Sequence, residues 1–283
     1  MTDDFSGKVA IVAGCARPPG MGYATALRLA TKGATVVCID AVGAQPEGGY
    51  DTGIVTQALL DEVTAEVRAA GRAPVVSVAA DPYDQSSWER AVAVAMEHYG
   101  RIDICCALMG TTGPSAGDGN LLDIPLDSWQ RCYDVNVVAP LLLSRACARV
   151  MLAQDSGGAI VILSSYSAVV PPAGNGAIAS ARAAVNTITE TLAIELAPHR
   201  IRVNAVQPLS VRSEDDRFPN PGLQRLADGE ADSFSTWVHR QVPLGRPQRA
   251  DETAAAVEFL CSDESSFITG VSLAVAGGAH SHS

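Results

Sequence analysis

Lysine is almost missing from this chain. Among 283 residues it occurs only at Lys8 and Lys32, and 20 basic residues face 31 acidic ones, a net charge of −11. Without a basic face the phosphates of a nucleic acid cannot be neutralised, which argues against a DNA- or RNA-binding role. No C-x-x-C pair occurs. The seven cysteines (Cys15, Cys38, Cys105, Cys106, Cys132, Cys147 and Cys261) are odd in number and mostly inside apolar runs. They read as reduced, buried thiols of a cytoplasmic protein. The five histidines lack metal-ligand spacing, and His280 and His282 sit in a polar tail, so no metal site is expected. Met1–Phe5 has neither a basic nor an apolar leader character. No stretch of about 18 residues is free of polar or breaker residues, so no membrane span is expected.

What is present is apolar and regularly spaced. Hydrophobic residues make up 47% of the chain, too many for a disordered one. Short apolar runs at Val9–Ala13, Thr35–Ile39, Val75–Ala79, Ile102–Leu108, Ala159–Ser164, Ile201–Gln207 and Val271–Val275 predict strands. Segments with helical spacing lie between them at Gly20–Lys32, Val55–Ala70, Gln85–Tyr99, Leu126–Gln154, Ala173–Leu196 and Asp251–Cys261. Pro140 predicts a kink or break within the fourth of these. Strand–helix alternation with long crossovers predicts an α/β fold, a doubly wound parallel sheet of about seven strands with helices on both faces. One domain is expected over 1–283. Residues 209–247 break the rhythm and suggest a lid or a surface loop; Ala41–Gly53 is a second long connection.

The first strand runs into Gly14-Cys15-Ala16-Arg17-Pro18-Pro19-Gly20-Met21-Gly22 and then a helix. Glycines there let a pyrophosphate approach the backbone, and the helix N-terminus offers N–H groups. Asp40 closes the second strand 18 residues after Gly22, where a carboxylate would accept the adenine ribose hydroxyls and repel a 2′-phosphate. NAD is therefore expected in preference to NADP.

With these residues in view the chain resembles a short-chain dehydrogenase/reductase over nearly its whole length. Further carriers are Asp81 with Pro82 after the third strand, Asn136 in Asp134-Val135-Asn136-Val137, and Ser164-Ser165. Ile201-Arg202-Val203-Asn204-Ala205-Val206-Gln207-Pro208 and the C-terminal Gly245-Arg246-Pro247, Ile268-Thr269-Gly270 and Gly277-Gly278 complete them. The resemblance implies a Rossmann-like sheet and often a tetramer built on paired long helices. It also implies cofactor contacts from Gly14, Arg17, Gly20, Met21, Gly22, Asp40, Asp81, Pro82, Gly110, Arg182 and Pro208.

The departures from the family pattern concentrate in the site. Five residues, including Pro18-Pro19, separate Gly14 from Gly20, where the family has three. Proline has no N–H to give a phosphate, while Gly20-Met21-Gly22 could still donate. Ala107-Leu108-Met109-Gly110 stands where the family has Asn-Asn-Ala-Gly. The family places a tyrosine thirteen residues after its serine and a lysine four further on. Counting from Ser165 gives Ile178 and Arg182, and Ala183-Ala184-Val185 supports the register. Isoleucine has no titratable proton and arginine stays charged near neutral pH. Losing a general acid typically costs about 10²–10⁴ in rate.

Three functions follow as expectations. The chain is a catalytically impaired NAD-binding subunit beside an active family paralogue. Alternatively it is an active NAD-dependent alcohol/ketone oxidoreductase whose proton moves through Tyr166, water or the substrate. Or it is a non-redox enzyme or ligand sensor on the same scaffold. Tyr133 is a weaker substitute than Tyr166; Asn136 could hold a helix distortion or a water. Met109, Val169, Val170, Ile178 and Leu209 suggest an apolar pocket for a small hydrophobic substrate. A homo-oligomer or a mixed assembly is expected.

Overall fold

Parallel strands that are mostly apolar on both faces call for a helical layer on each side. That is the arrangement in the computed structural model, which describes residues 4–43, 55–209 and 242–279. The strands are β1 (Val9–Ala13), β2 (Thr35–Ala41), β3 (Val75–Ala80), β4 (Ile104–Ala107), β5 (Gly158–Leu163), β6 (Ile201–Pro208) and β7 (Ser272–Val275). All pair in parallel, in the order β3-β2-β1-β4-β5-β6-β7. The chain moves outward from β1 to β3 and then crosses back to lay β4 on the other side of β1. Loops leaving β1 and β4 diverge there, which opens a crevice at the carboxyl edge of the sheet.

The alternation along each strand assigns its two faces. Ile11, Ile39, Cys105, Ile160 and Ile162 join one core. It is covered by α3 (Gln85–Tyr99), the long helix and α6 (Gly176–Leu196). Ala10, Val12, Val36, Cys106 and Val161 join the other, beneath α1 (Met21–Thr31), α2 (Gln57–Ala70) and α7 (Ala250–Cys261). Each fully buried isoleucine contributes about 1.5–3 kcal/mol, so a one-residue register slip would be strongly disfavoured. All seven cysteines are free and buried.

The long helix corrects one expectation. Helical structure is continuous from Leu126 to Gln154, as α4 (Leu126–Tyr133), a π turn (Asp134–Val138) and α5 (Ala139–Gln154). Pro140 does not break it. Having no N–H for the Asn136 carbonyl, it sits just past the widened turn, which takes up the missing bond. By length and composition alone this helix could cross a membrane, its most apolar 18-residue stretch having mean hydropathy 1.5, although 56% of that stretch is buried in the protein. Its buried Leu143, Cys147 and Met151 belong to the core beside β4 and β5.

α6 begins at Gly176, three residues later than predicted. Gly174, with φ of 77°, belongs to the turn that follows Pro171 and Pro172. Of the two irregular connections, residues 44–54 and 210–241 lie outside the described residues.

Candidate active site

Every residue expected at the site lies at or just beyond the carboxyl edge of the sheet, except those brought to it by the long helix and α6. The glycine turn leaves β1 at Gly14, whose φ of 88° suits glycine. A Cβ on Gly14 would stand 2.8 Å from the Leu108 carbonyl oxygen, and one on Gly22 only 2.1 Å from that of Gly14. Both glycines are thus required for α1 and the β4 exit to approach β1. Gly14 donates its N–H to the Ile39 carbonyl at 2.9 Å. Gly20 corrects an expectation: its N–H is spent on the Arg17 carbonyl inside the turn. That leaves the first N–H groups of α1, at Met21 and Gly22, as the donors the helix end presents.

Asp40 stands at the end of β2 beside this turn. Its carboxylate accepts the Ala16 N–H at 2.6 Å and the Ala41 N–H at 2.8 Å. Burial raises its pKa, opposed by those two N–H groups and by the Arg17 guanidinium. Burial likewise lowers the pKa of Arg17, which Asp40 offsets. At the end of β3, Asp81 is exposed and accepts the Tyr83 N–H at 2.9 Å, and Pro82 beside it is buried. Pro208 closes β6 in register with Val275.

The other half of the crevice is built around Gly110. The Asn136 side chain holds the backbone just past it: Oδ1 accepts the Thr111 N–H at 3.1 Å, and Nδ2 donates to the Thr111 carbonyl at 3.0 Å. Nδ2 also reaches the Cys132 carbonyl at 2.8 Å across the widened turn. A Cβ on Gly110 would stand 2.0 Å from Arg182 Nη2 and 2.9 Å from Asn136 Oδ1. Asn136 and Arg182 therefore flank Gly110.

Ile178 and Arg182 are one turn apart on α6, so they share a face. Both are buried, at 8% and 6% exposure. Arg182 donates through Nη1 to the Leu163 carbonyl at the end of β5. Burial brings its pKa down to about 10, and the Cys132 thiol favours the charged form. Cys132 is itself pushed up to about 11 by burial. Ser165 is half-buried; its Oγ accepts from the N–H and the hydroxyl of Ser167, at 3.2 and 2.9 Å, capping a short turn over Tyr166–Ala168. Tyr166, in that turn, is buried at 6% exposure. Ser164 donates to Asn186 at 2.7 Å, tying β5 to α6.

The expected apolar pocket is only partly assembled. Met109 and Ile178 are buried in one core, whereas Val169 and Val170 are exposed. Leu209 instead lines a separate hollow with Val242, Leu244, Val275 and Gly277 at the β6–β7 end.

One residue was missed by sequence reasoning. Asp118 lies in the loop from β4 to α4, and its carboxylate accepts the Thr112 hydroxyl at 2.9 and 3.0 Å. Gly119 next to it donates to Gly174 at 2.8 Å and pairs with Asn175 ahead of α6. On the other side Gly117, with φ of 93°, is packed so closely that a Cβ would stand 2.6 Å from that of Ala177. Burial raises the Asp118 pKa, opposed by Thr112 and Gly113. The only trace in the sequence is the glycine spacing of Gly113, Gly117 and Gly119. Among the described residues no group of three or more His, Cys, Asp or Glu could hold a metal ion.

A parallel sheet with its strand order reversing beside a glycine turn, and an acid closing the neighbouring strand, defines a protein of the dinucleotide-binding α/β class. The family model described as enoyl-(acyl carrier protein) reductase matches residues 14–280. Trans-4-hydroxycyclohexanecarboxylate dehydrogenase of Sinomonas cyclohexanicum is 34% identical over 279 residues, 98% of this chain and 95% of that protein. Human dehydrogenase/reductase SDR family member 4 is 33% identical over 277 residues, 98% of this chain and 88% of that protein. The crystal structure of carveol dehydrogenase from Mycobacterium avium in complex with NAD superposes with a TM-score of 0.88 at 32% identity, covering 99% of both chains. The chain belongs to the short-chain dehydrogenase/reductase family.

Proposed function

We propose that this protein is an NAD-linked oxidoreductase with an impaired site, acting on a small, largely apolar alcohol or ketone. The cofactor end fits the group: the Gly14–Gly22 approach would be filled by any side chain, the α1 N-terminus presents N–H groups, and Asp40 closes β2. Gly14, Met21, Gly22 and Asp40 would hold the dinucleotide, with Asp81 and Pro82 towards its adenine and Gly110, Arg182 and Pro208 towards its nicotinamide half. NAD supplies hydride exchange when bound.

The observation that carries the impairment is the pair on α6. Ile178 is aliphatic where the family carries its tyrosine, and Arg182, in place of the lysine, turns under Gly110 and spends a donor on the Leu163 carbonyl. That guanidinium positions backbone and leaves Ser165 to orient the substrate oxygen. The similar proteins named for cyclic alcohols, trans-4-hydroxycyclohexanecarboxylate and carveol, support the substrate class.

Calorimetry tests the cofactor half. NAD binds more tightly than NADP, and Asp40→Ser narrows the difference. Binding of neither dinucleotide would overturn the proposal. Turnover of cyclic secondary alcohols is then expected about 10²–10⁴ below that of a family member with the full relay.

A role as subunit of a larger assembly, with more copies of itself or an active paralogue, is favoured by exposed apolar side chains. Ile194 near the end of α6, and Phe267 and Val271 before β7, are open to solvent. Native mass spectrometry of protein purified from its own host separates a mixed assembly from multiples of 29.3 kDa.

A further inference from the structure

We propose that Asp118 takes the proton of the alcohol in this reaction, in place of the phenol that position 178 lacks. The assignment rests on the reading of the chain as an NAD-linked oxidoreductase.

A proton acceptor must meet the substrate oxygen where the β4 exit, the β5 exit and the start of α6 converge. Ile178 has nothing to offer there, and Arg182 stays protonated near neutral pH. Asp118 is brought to that place by three connections. Its carboxylate is held by Thr112, two residues beyond Gly110. The backbone at Gly119 is bonded to Gly174 and paired with Asn175. Gly117 packs on Ala177, the residue before Ile178. The acid is thus fixed between the Gly110 strand exit and the helix end that carries Ile178. Such a double clamp is more than a solvated loop carboxylate needs.

The step balances. The substrate O–H bond breaks and its proton goes to an Asp118 oxygen. The hydrogen on the carbinol carbon leaves with its electron pair for the nicotinamide dinucleotide, the two-electron oxidant. The products are the ketone, the reduced dinucleotide and neutral Asp118, which passes its proton to water. Ketone reduction uses the same group in the opposite sense.

Burial raises the Asp118 pKa while the Thr112 hydroxyl restrains the rise. Among the described residues, the titratable or charged groups facing it from the packed elements include Cys132 and Arg131 on α4, with Arg182 of α6 on the far side of Cys132. Alcohol oxidation should therefore fall on the acid side and ketone reduction on the alkaline side.

The test compares wild type, Asp118→Asn, Thr112→Val and Thr112→Ser as full chains loaded with NAD. Cyclohexanol, trans-4-hydroxycyclohexanecarboxylate and carveol serve as probes. Reduced nicotinamide, proton release to an indicator dye and NAD affinity by calorimetry are measured from pH 5 to 9. Expected is a loss of about 10²-fold or more in kcat for Asp118→Asn with NAD affinity unchanged. Thr112→Val lowers kcat and moves the acid limb of kcat/KM upward, and Thr112→Ser restores both. An Asp118→Asn rate close to wild type, an acid limb that ignores Thr112→Val, or a wild type that binds NAD yet oxidises none of the probes overturns the assignment. Wild type that binds no NAD instead removes the functional reading on which it rests, and the assignment with it.

Discussion

Gly22→Ala puts the geometry of the cofactor end to a quantitative trial. The added Cβ would lie 2.1 Å from the Gly14 carbonyl oxygen, 2.5 Å from its carbon and 3.1 Å from the Cys15 nitrogen. Carbon contacts of this kind settle at about 3.5 Å, so about 1.4 Å of separation must be created at the Gly14 oxygen. All three atoms are backbone, so no side chain can swing away. Either α1 lifts off β1 or the turn at Gly14 deforms. Lifting α1 disturbs Ala26, Leu29 and Ala30, each fully buried. It also strains the Glu258 contacts with Arg28 and Lys32 that tie α1 to α7. Overpacking of this sort costs about 1–3 kcal/mol. At about 2 °C per kcal/mol for a chain of this size, Tm should fall by about 2–6 °C. NAD affinity should fall with it, because the same displacement moves the N–H groups at Met21 and Gly22. Calorimetric melting and NAD titration on one preparation measure both. A variant that melts with wild type and binds NAD equally would show that α1 and β1 are not in this close contact, and the cofactor argument would lose its footing.

Two further outcomes are expected. Rebuilding the relay with Ile178→Tyr and Arg182→Lys should raise cyclic-alcohol oxidation by at least about tenfold, since a positioned acid–base group contributes 10²–10⁴; a folded, NAD-binding double variant with an unchanged rate would refute the placement of positions 178 and 182. Glu252 carries a pH dependence whose sign is fixed. It accepts the Arg249 N–H at 2.8 Å and pairs with Arg246, which holds its carboxyl down to about 2 against 4.5. The stabilisation is complete above pH 4.5 and lost as pH falls towards 2. Solvent screening reduces it to about 1 kcal/mol, so Glu252→Gln should cost that much at pH 7 and nothing near pH 2; an equal loss at both would point to packing instead.

Two of the departures from the family lie at one half of the crevice. Arg182 is against Gly110, with Ile178 one turn before it on α6 and Asn136 supporting the backbone past Gly110 from the widened turn. The five-residue insertion lies in the glycine turn. Asp40 and the Gly14–Gly22 approach stand apart from Gly110 and Arg182, at the other half of the crevice. The substitutions at 178 and 182 leave in place the frame that would receive a dinucleotide.

How much was legible beforehand depends on how local the deciding physics is. The seven strands could be read because each is a short, mostly apolar run set between segments of helical spacing, a rhythm that suits a parallel sheet covered on both faces. Gly14 and Asp40 could be placed at strand ends because the runs before them are plain in the sequence, and the four-residue interval puts Ile178 and Arg182 on one face of α6. Pro140 misled, because a missing N–H predicts a break only when no neighbouring turn can widen, and here Asp134–Val138 does. Gly20 misled too: whether its N–H faces a ligand or the Arg17 carbonyl depends on the path of the five-residue insertion. Asp118 could not be found at all. Its side chain meets Thr112 six residues away, but the seating of its loop, Gly117 on Ala177 and Gly119 on Gly174, follows from the packing of distant segments, which neither periodicity nor motif records. The sequence determined the sheet and which side chains are chemically able. Only the tertiary structure decided where Arg182 points and that the loop carrying Asp118 is seated on the residues at the start of α6, because those depend on contacts between residues far apart in the chain.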